Sequence, residues 1–273
     1  MIVRCILVFL VVTAGWAYAT PSKAAEAPAP GGGSEDPALR ARLDDIDRRA
    51  GEVRDLTARF EQQKFTALLK KPLVSFGRVR MKGSVVRWDT EAPEPAVLHS
   101  DGREIRMFYP RQRVVEVYPI DKRITDLAAS PLPRLAALRE HFRIEAGEPA
   151  AEPARGPGDQ SKTDRVQSKT DRVPLRLTPT DPFLKEHVDQ VLVVLDAAAA
   201  CVVSVEVDDA DGDRTLIRFS DVKLNAGMKD ADVALAVPPG TKESRPLEGV
   251  QGDPPEAPRG QGKKDPAARV RTK

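Results

Sequence analysis

Phe76-Gly77-Arg78-Val79-Arg80-Met81-Lys82 alternates basic side chains with Gly77, Val79 and Met81. Ile105-Arg106-Met107-Phe108-Tyr109 repeats the pattern. Successive side chains of a strand point to opposite faces, so this spacing describes a sheet with one apolar and one wet face. An apolar face needs a cover. If the cover is protein, the result is an ordinary core; if it is a removable lipid, the result is a carrier.

Working outward, strands are predicted at Leu56 to Phe65, Leu73 to Lys82, Val85 to Thr90, Ala96 to Ser100, Glu104 to Tyr109 and Val114 to Tyr118. Lys82-Gly83-Ser84, Pro93-Glu94-Pro95, Asp101-Gly102 and Pro110-Arg111 supply the turns between them. Glycine tolerates positive φ, which hairpin turns need. The connections are too short for parallel crossovers, so the sheet is antiparallel.

Before this block, Asp36 can cap a helix from Pro37 to Arg54, with Leu39, Leu43, Ile46 and Val53 at helical spacing. After it, Pro131 to His141 reads as a short helix with Leu132, Leu135 and Leu138 on one face. Residues 145–172 read as an exposed loop carrying a tandem heptapeptide, Gln160 to Val166 followed by Gln167 to Val173. Two copies are too few for a repeat fold, and an exposed loop tolerates such a duplication. Strands are expected again at Val173 to Thr178, Val188 to Asp196, Cys201 to Asp208, Arg214 to Val222 and Asp232 to Val237. The turn at Asp209-Ala210-Asp211-Gly212-Asp213 invites a calcium reading, but Val207 and Arg218 stand where ligands are needed. It reads as a hairpin turn.

Met1 to Ala19 combines Arg4, an apolar run from Cys5 to Trp16 and an Ala17-Tyr18-Ala19 triplet, the parts of a cleavable secretory signal. Its apolar run is shorter than the ~20 residues a membrane-spanning helix needs. Residues 20–36 form a flexible leader and 242–273 a disordered tail, leaving 37–241 as one folded domain. Past the signal only Cys201 remains, which reads as a small buried apolar group. The 43 basic and 41 acidic residues nearly cancel, giving no general field for nucleic acid.

In order, Leu56-Thr57-Ala58-Arg59-Phe60-Glu61-Gln62, Gly77, Arg87-Trp88, Pro95 and Ser100-Asp101-Gly102 resemble the periplasmic lipoprotein carrier family, the LolA-like proteins. Tyr109-Pro110, Leu175-Arg176-Leu177-Thr178-Pro179, Phe219-Ser220-Asp221-Val222-Lys223-Leu224-Asn225 and Val237-Pro238-Pro239-Gly240 continue the series. Each motif is weak; the ordered set, behind an export signal, is strong. Lys70 to Gly77 is closer to divergent members than to the best-known one.

The resemblance implies an α+β, mainly antiparallel fold: a curved, incomplete half-barrel with an N-terminal helix and short lid helices across its concave face. It further implies a monomeric periplasmic carrier that takes the acyl chains of lipoproteins from an inner-membrane release transporter to an outer-membrane acceptor, without cofactor, metal or bond chemistry. In the best-known members an arginine before a proline, in the turn after the glycine-containing strand, helps to hold the closed form. Here that turn is Met81-Lys82-Gly83-Ser84, with Lys82 as the available substitute. A relative carrying another acyl lipid would look much the same.

The apolar phase of each strand nominates Phe60, Val79, Met81, Trp88, Leu98, Ile105, Met107, Tyr109 and Val117 as wall residues of a lipid cavity. Leu132, Leu135 and Leu138 are nominated for the underside of its lid. Ordinary core packing is the alternative for each of them. Arg78, Arg80, Arg103, Arg106, Arg111 and Arg113 form either a basic docking surface or a solvated outer face. His99, His141 and His187 are scattered, and neither a nucleophile elbow nor a phosphate loop occurs, so the chain does not read as an enzyme. The competing function is an envelope sensor or assembly module on the same fold, which binds protein partners and transports nothing.

Overall fold

The structure, a computed structural model, describes residues 36–119, 131–148 and 171–246. The expected signal, most of the leader, most of the tandem heptapeptide and most of the tail lie outside the described residues.

Among the described residues twelve strands form one sheet: β1 (Asp55–Phe65), β2 (Leu73–Lys82), β3 (Val85–Ala92), β4 (Ala96–Ser100), β5 (Glu104–Tyr109), β6 (Val114–Pro119), β7 (Phe142–Ala146), β8 (Arg172–Pro179), β9 (Val188–Asp196), β10 (Cys201–Asp209), β11 (Arg214–Leu224) and β12 (Lys242–Ser244). The order across it is β12-β6-β5-β4-β3-β2-β1-β11-β10-β9-β8-β7. The sheet is curved and unclosed, and among the described residues only the β12–β6 pair is parallel. The expected antiparallel architecture with few helices is therefore present.

Register shows which side chains share a face. Ala58 lies opposite Val79, Val79 opposite Trp88, Trp88 opposite Leu98, Leu98 opposite Met107 and Met107 opposite Glu116. This inner face continues through Ile217, Val205, Val193 and Leu175 on the other half of the sheet.

Helix α1 (Pro37–Gly51) buries Leu43, Ile46 and Ala50 in the core that this face builds. Asp36 accepts a hydrogen bond from the Ala38 amide at 3.1 Å and Pro37 occupies the first turn, as the sequence predicts. The helix stops before Arg54 because the Arg54 amide is taken by the Asn225 side chain at 2.8 Å. Helix α2 (Leu135–His141) begins later than expected. Pro133 restricts Leu132 before it to extended backbone.

Two segments differ in kind from the sequence reading. Phe142–Ala146, which lies between the expected helix and loop and overlaps the loop at Glu145 and Ala146, is strand β7, pairing Phe142 with Pro179 and Ile144 with Leu177. Asp232 to Val237, expected as a strand, instead contributes to the short helix α3 (Asp230–Val233) and an extended stretch. That segment belongs to a strap crossing the outer face. The buried Asp55 carboxylate accepts from the amides of Ala226 (2.8 Å) and Gly227 (3.1 Å), starting the strap where β11 ends. Arg80 donates to the Asp232 carbonyl at 2.8 Å, Arg87 to the Ala234 carbonyl, and Arg113 to the Pro239 carbonyl at 2.6 Å. The strap ends as β12 against β6, so the ordered domain runs past 241.

Candidate functional site

Trp88, Phe60 and Phe219 form an aromatic cluster at the middle of the inner face. The Trp88 ring lies 4.9 Å from Phe60 and 5.7 Å from Phe219, centroid to centroid. Gly77 makes this possible, because its missing side chain lets the Phe60 ring and the Asp89 carbonyl lie against the backbone. Val79 and Met81 pack in the same core beneath α1, and Leu98 lies half-buried at its margin.

Some open space lies farther along the sheet. A cleft forms between β8, β9, β10 and the residues from Leu132 to Leu138. Leu175, Leu177, Val191, Val193, Leu195, Val202 and Val205 make its floor, and Leu132, Leu135 and Leu138 its roof. Its free volume is about 30 Å3. That is room for roughly two water-sized groups, far short of an acyl chain.

The roof is fastened to α1 by polar groups. Asp47 accepts from the amides of Leu135 (2.8 Å) and Ala136 (3.2 Å), which are otherwise unpaired donors at the start of α2. One turn away, Arg139 donates to Asp44 at 2.7 Å. Below these contacts the roof holds the floor through apolar side chains.

The residues nominated from sequence fall into three groups. Leu132, Leu135 and Leu138 line the cleft and form its roof. Phe60, Val79, Met81, Trp88, Leu98, Ile105, Met107 and Tyr109 lie on the inner face but do not line the cleft. Val117 is a correction: it lies opposite Arg106, on the outer face, one position out of phase with Met107. The strand alternation shifts its apolar phase there because Val115, Val117 and Phe108 are buried on the outer side.

The floor residues were missed. Their signal was nonetheless present, in the alternation of Leu175 with Leu177 and of Val191, Val193 and Leu195.

Lys82 faces outward and pairs with Asp230 of the strap at 2.5 Å, whereas the roof is fastened by Asp47, Asp44 and Arg139. The arginines nominated as a basic surface are largely engaged: Arg80 and Arg113 hold the strap, Arg106 pairs with Glu104 and Arg111 with Glu94. Cys201 is buried, and burial pushes its thiol up to about 11, which suits a packing role. The Asp209–Asp213 segment is a hairpin turn, closed by Asp209 donating to the Asp213 carbonyl at 2.8 Å.

No protein-family model matches the chain. It is 26% identical over 154 residues to the outer-membrane lipoprotein carrier protein of Chromohalobacter salexigens, covering 56% of this chain and 62% of that relative's length. It is 25% identical over 194 residues to the protein of the same name in Pseudomonas paraeruginosa, covering 69% of this chain and 80% of the relative. A solved LolA superfamily protein from Nitrosomonas europaea is 12% identical with a TM-score of 0.37, covering 72% of this chain and 97% of that one.

Proposed function

We propose that this chain, a divergent relative of the outer-membrane lipoprotein carriers, binds the acyl chains of lipoproteins in the cleft under α2 and ferries them across the periplasm. The observation that carries the reading is the construction of the roof. Its underside is three leucines on an apolar floor, while its fastenings are polar and near solvent.

In this reading the narrow cleft is the closed form. Loading displaces α2, and the leucines exchange floor contacts for contacts with the guest. If they met water instead, the loss would be about 1.5–3 kcal/mol each. A guest chain gains about 0.8 kcal/mol per buried methylene, so roughly a dozen methylenes offset even that upper bound. The fastenings add little: an exposed ion pair contributes about 0–1 kcal/mol and a helix cap about 1. Such a balance favours long chains and still permits release. An inner-membrane donor and an outer-membrane acceptor complete the proposed route.

The test is displacement of a hydrophobic fluorophore by fatty acids of increasing length. The proposal expects uptake of the dye and displacement only by chains of about twelve carbons or more. A protein that takes up no dye, as a module binding only protein partners would not, contradicts it.

A further inference from the structure

Among the described residues the exposed large apolar side chains are Leu68 (93% exposed), Leu69 (46%), Leu73 (42%) and Phe76 (47%). All four lie within nine residues, on the hairpin joining β1 to β2. Scattered surface leucines need no explanation, whereas a cluster at one protruding point does. Lys70 and Lys71 are exposed beside them, and no acidic residue occurs between Lys64 and Phe76.

The hairpin is anchored at its root. Lys64 is buried and pairs with Asp213 at 3.3 Å, and the Arg214 guanidinium lies 4.3 Å from the centroid of the Phe65 ring. At the tip, the Thr66 hydroxyl accepts from the Leu68 amide at 3.1 Å and the Thr66 carbonyl from the Leu69 amide at 3.2 Å. The leucines are thus held out from the sheet on a fixed turn.

We infer that the Leu68–Lys71 tip is a membrane-docking element, which sinks its leucines into the interface of an anionic bilayer while Lys70 and Lys71 meet the phosphates. Leucine favours the acyl boundary, and lysine is drawn to an anionic surface. Exposed leucines at the tip with lysines beside them and no carboxylate between Lys64 and Phe76 match the layering of an anionic bilayer, with phosphates above an acyl interior. This inference stands apart from the cargo cleft, which lies on β8 to β10, and it holds whether or not the cleft takes acyl chains.

The experiment is co-sedimentation of the purified protein with vesicles of phosphatidylglycerol and phosphatidylethanolamine, against vesicles of phosphatidylcholine alone. The wild type binds the anionic vesicles, and 0.5 M salt weakens that binding. Leu68→Glu/Leu69→Glu reduces partitioning at least about tenfold, and Lys70→Gln/Lys71→Gln reduces it and flattens the salt dependence. Because these side chains are exposed, melting temperature and fluorophore uptake stay unchanged in both variants. Equal binding by wild type and Leu68→Glu/Leu69→Glu, or no wild-type binding to either vesicle, overturns the inference. Fluorophore uptake scored on the same samples reports separately on the cleft.

Discussion

Asp47 and Leu135, 88 residues apart in sequence, are joined by a 2.8 Å hydrogen bond from the Leu135 amide to the Asp47 carboxylate. A side chain of α1 thereby caps a helix on a different part of the chain. The 2.7 Å contact between Arg139 and Asp44 repeats the connection one turn on. These contacts hold the roof of the cleft without touching its floor.

Removing the cap tests that role. Asp47→Ala leaves the first amides of α2 without their acceptor and costs about 1 kcal/mol, or about 2–4 °C in Tm. If the roof must lift for loading, stopped-flow uptake of a hydrophobic fluorophore becomes several-fold faster in Asp47→Ala, with Asp47→Asn intermediate. Unchanged uptake rates in a destabilised variant would show that α2 does not gate the cleft.

Gly77 is the strictest position in the sheet. A Cβ there would collide with the Asp89 carbonyl oxygen and lie 2.8 Å from the Phe60 ring. The backbone cannot yield without breaking the β2–β3 ladder, whose register already shifts between Phe76 and Gly77. Gly77→Ala should cost more than about 2 kcal/mol, read as a fall in the denaturant midpoint. A midpoint within error of the wild type would show that the ring and ladder adjust freely.

His99 gives the acid response of the outer face. Burial lowers its pKa; Arg106 and Arg87 lower it further, while Asp101 and Glu104 oppose. Arg87 and Arg106 lie directly opposite it on the neighbouring strands. Because the folded-state pKa lies below the unfolded one, the neutral form is the one that folding favours. This contribution is complete above about pH 6.5, falls as the pH drops below that value and levels off past the folded pKa. Stability measured from pH 8 to pH 5 should therefore decline on the acid side, with a shallower slope in His99→Gln. Identical slopes would remove His99 from the account.

Much of this architecture is legible in the sequence because period-two alternation was strong and the turns carried glycine or proline. The segments Leu73 to Lys82, Ala96 to Ser100 and Glu104 to Tyr109 match their strands at both ends. Asp232 to Val237 was misread because its apolar residues alternate without a ladder partner; arginine side chains hold the backbone there instead. Strand β7 was hidden by the helical leucine spacing directly before it. The location of the cleft was the larger gap. Alternation identifies a shared face, but where a helix stands off from that face depends on packing between distant segments. So Trp88 and Phe60 drew attention as large apolar residues, although they fill the core, and the floor of valines and leucines did not. Val117 shows the limit of phase alone, because both faces of β6 are buried.

The most direct test of acyl binding is native mass spectrometry of the gently purified protein, wild type beside Val205→Trp. Val205 lines the cleft and is only partly buried, so an indole there obstructs the cleft from its margin. The account predicts an acyl-lipid adduct on the wild type and its loss in Val205→Trp, with the variant still folded and its melting temperature lowered by a few degrees. A wild-type protein that carries no acyl lipid, or an adduct equally abundant in Val205→Trp, would contradict it.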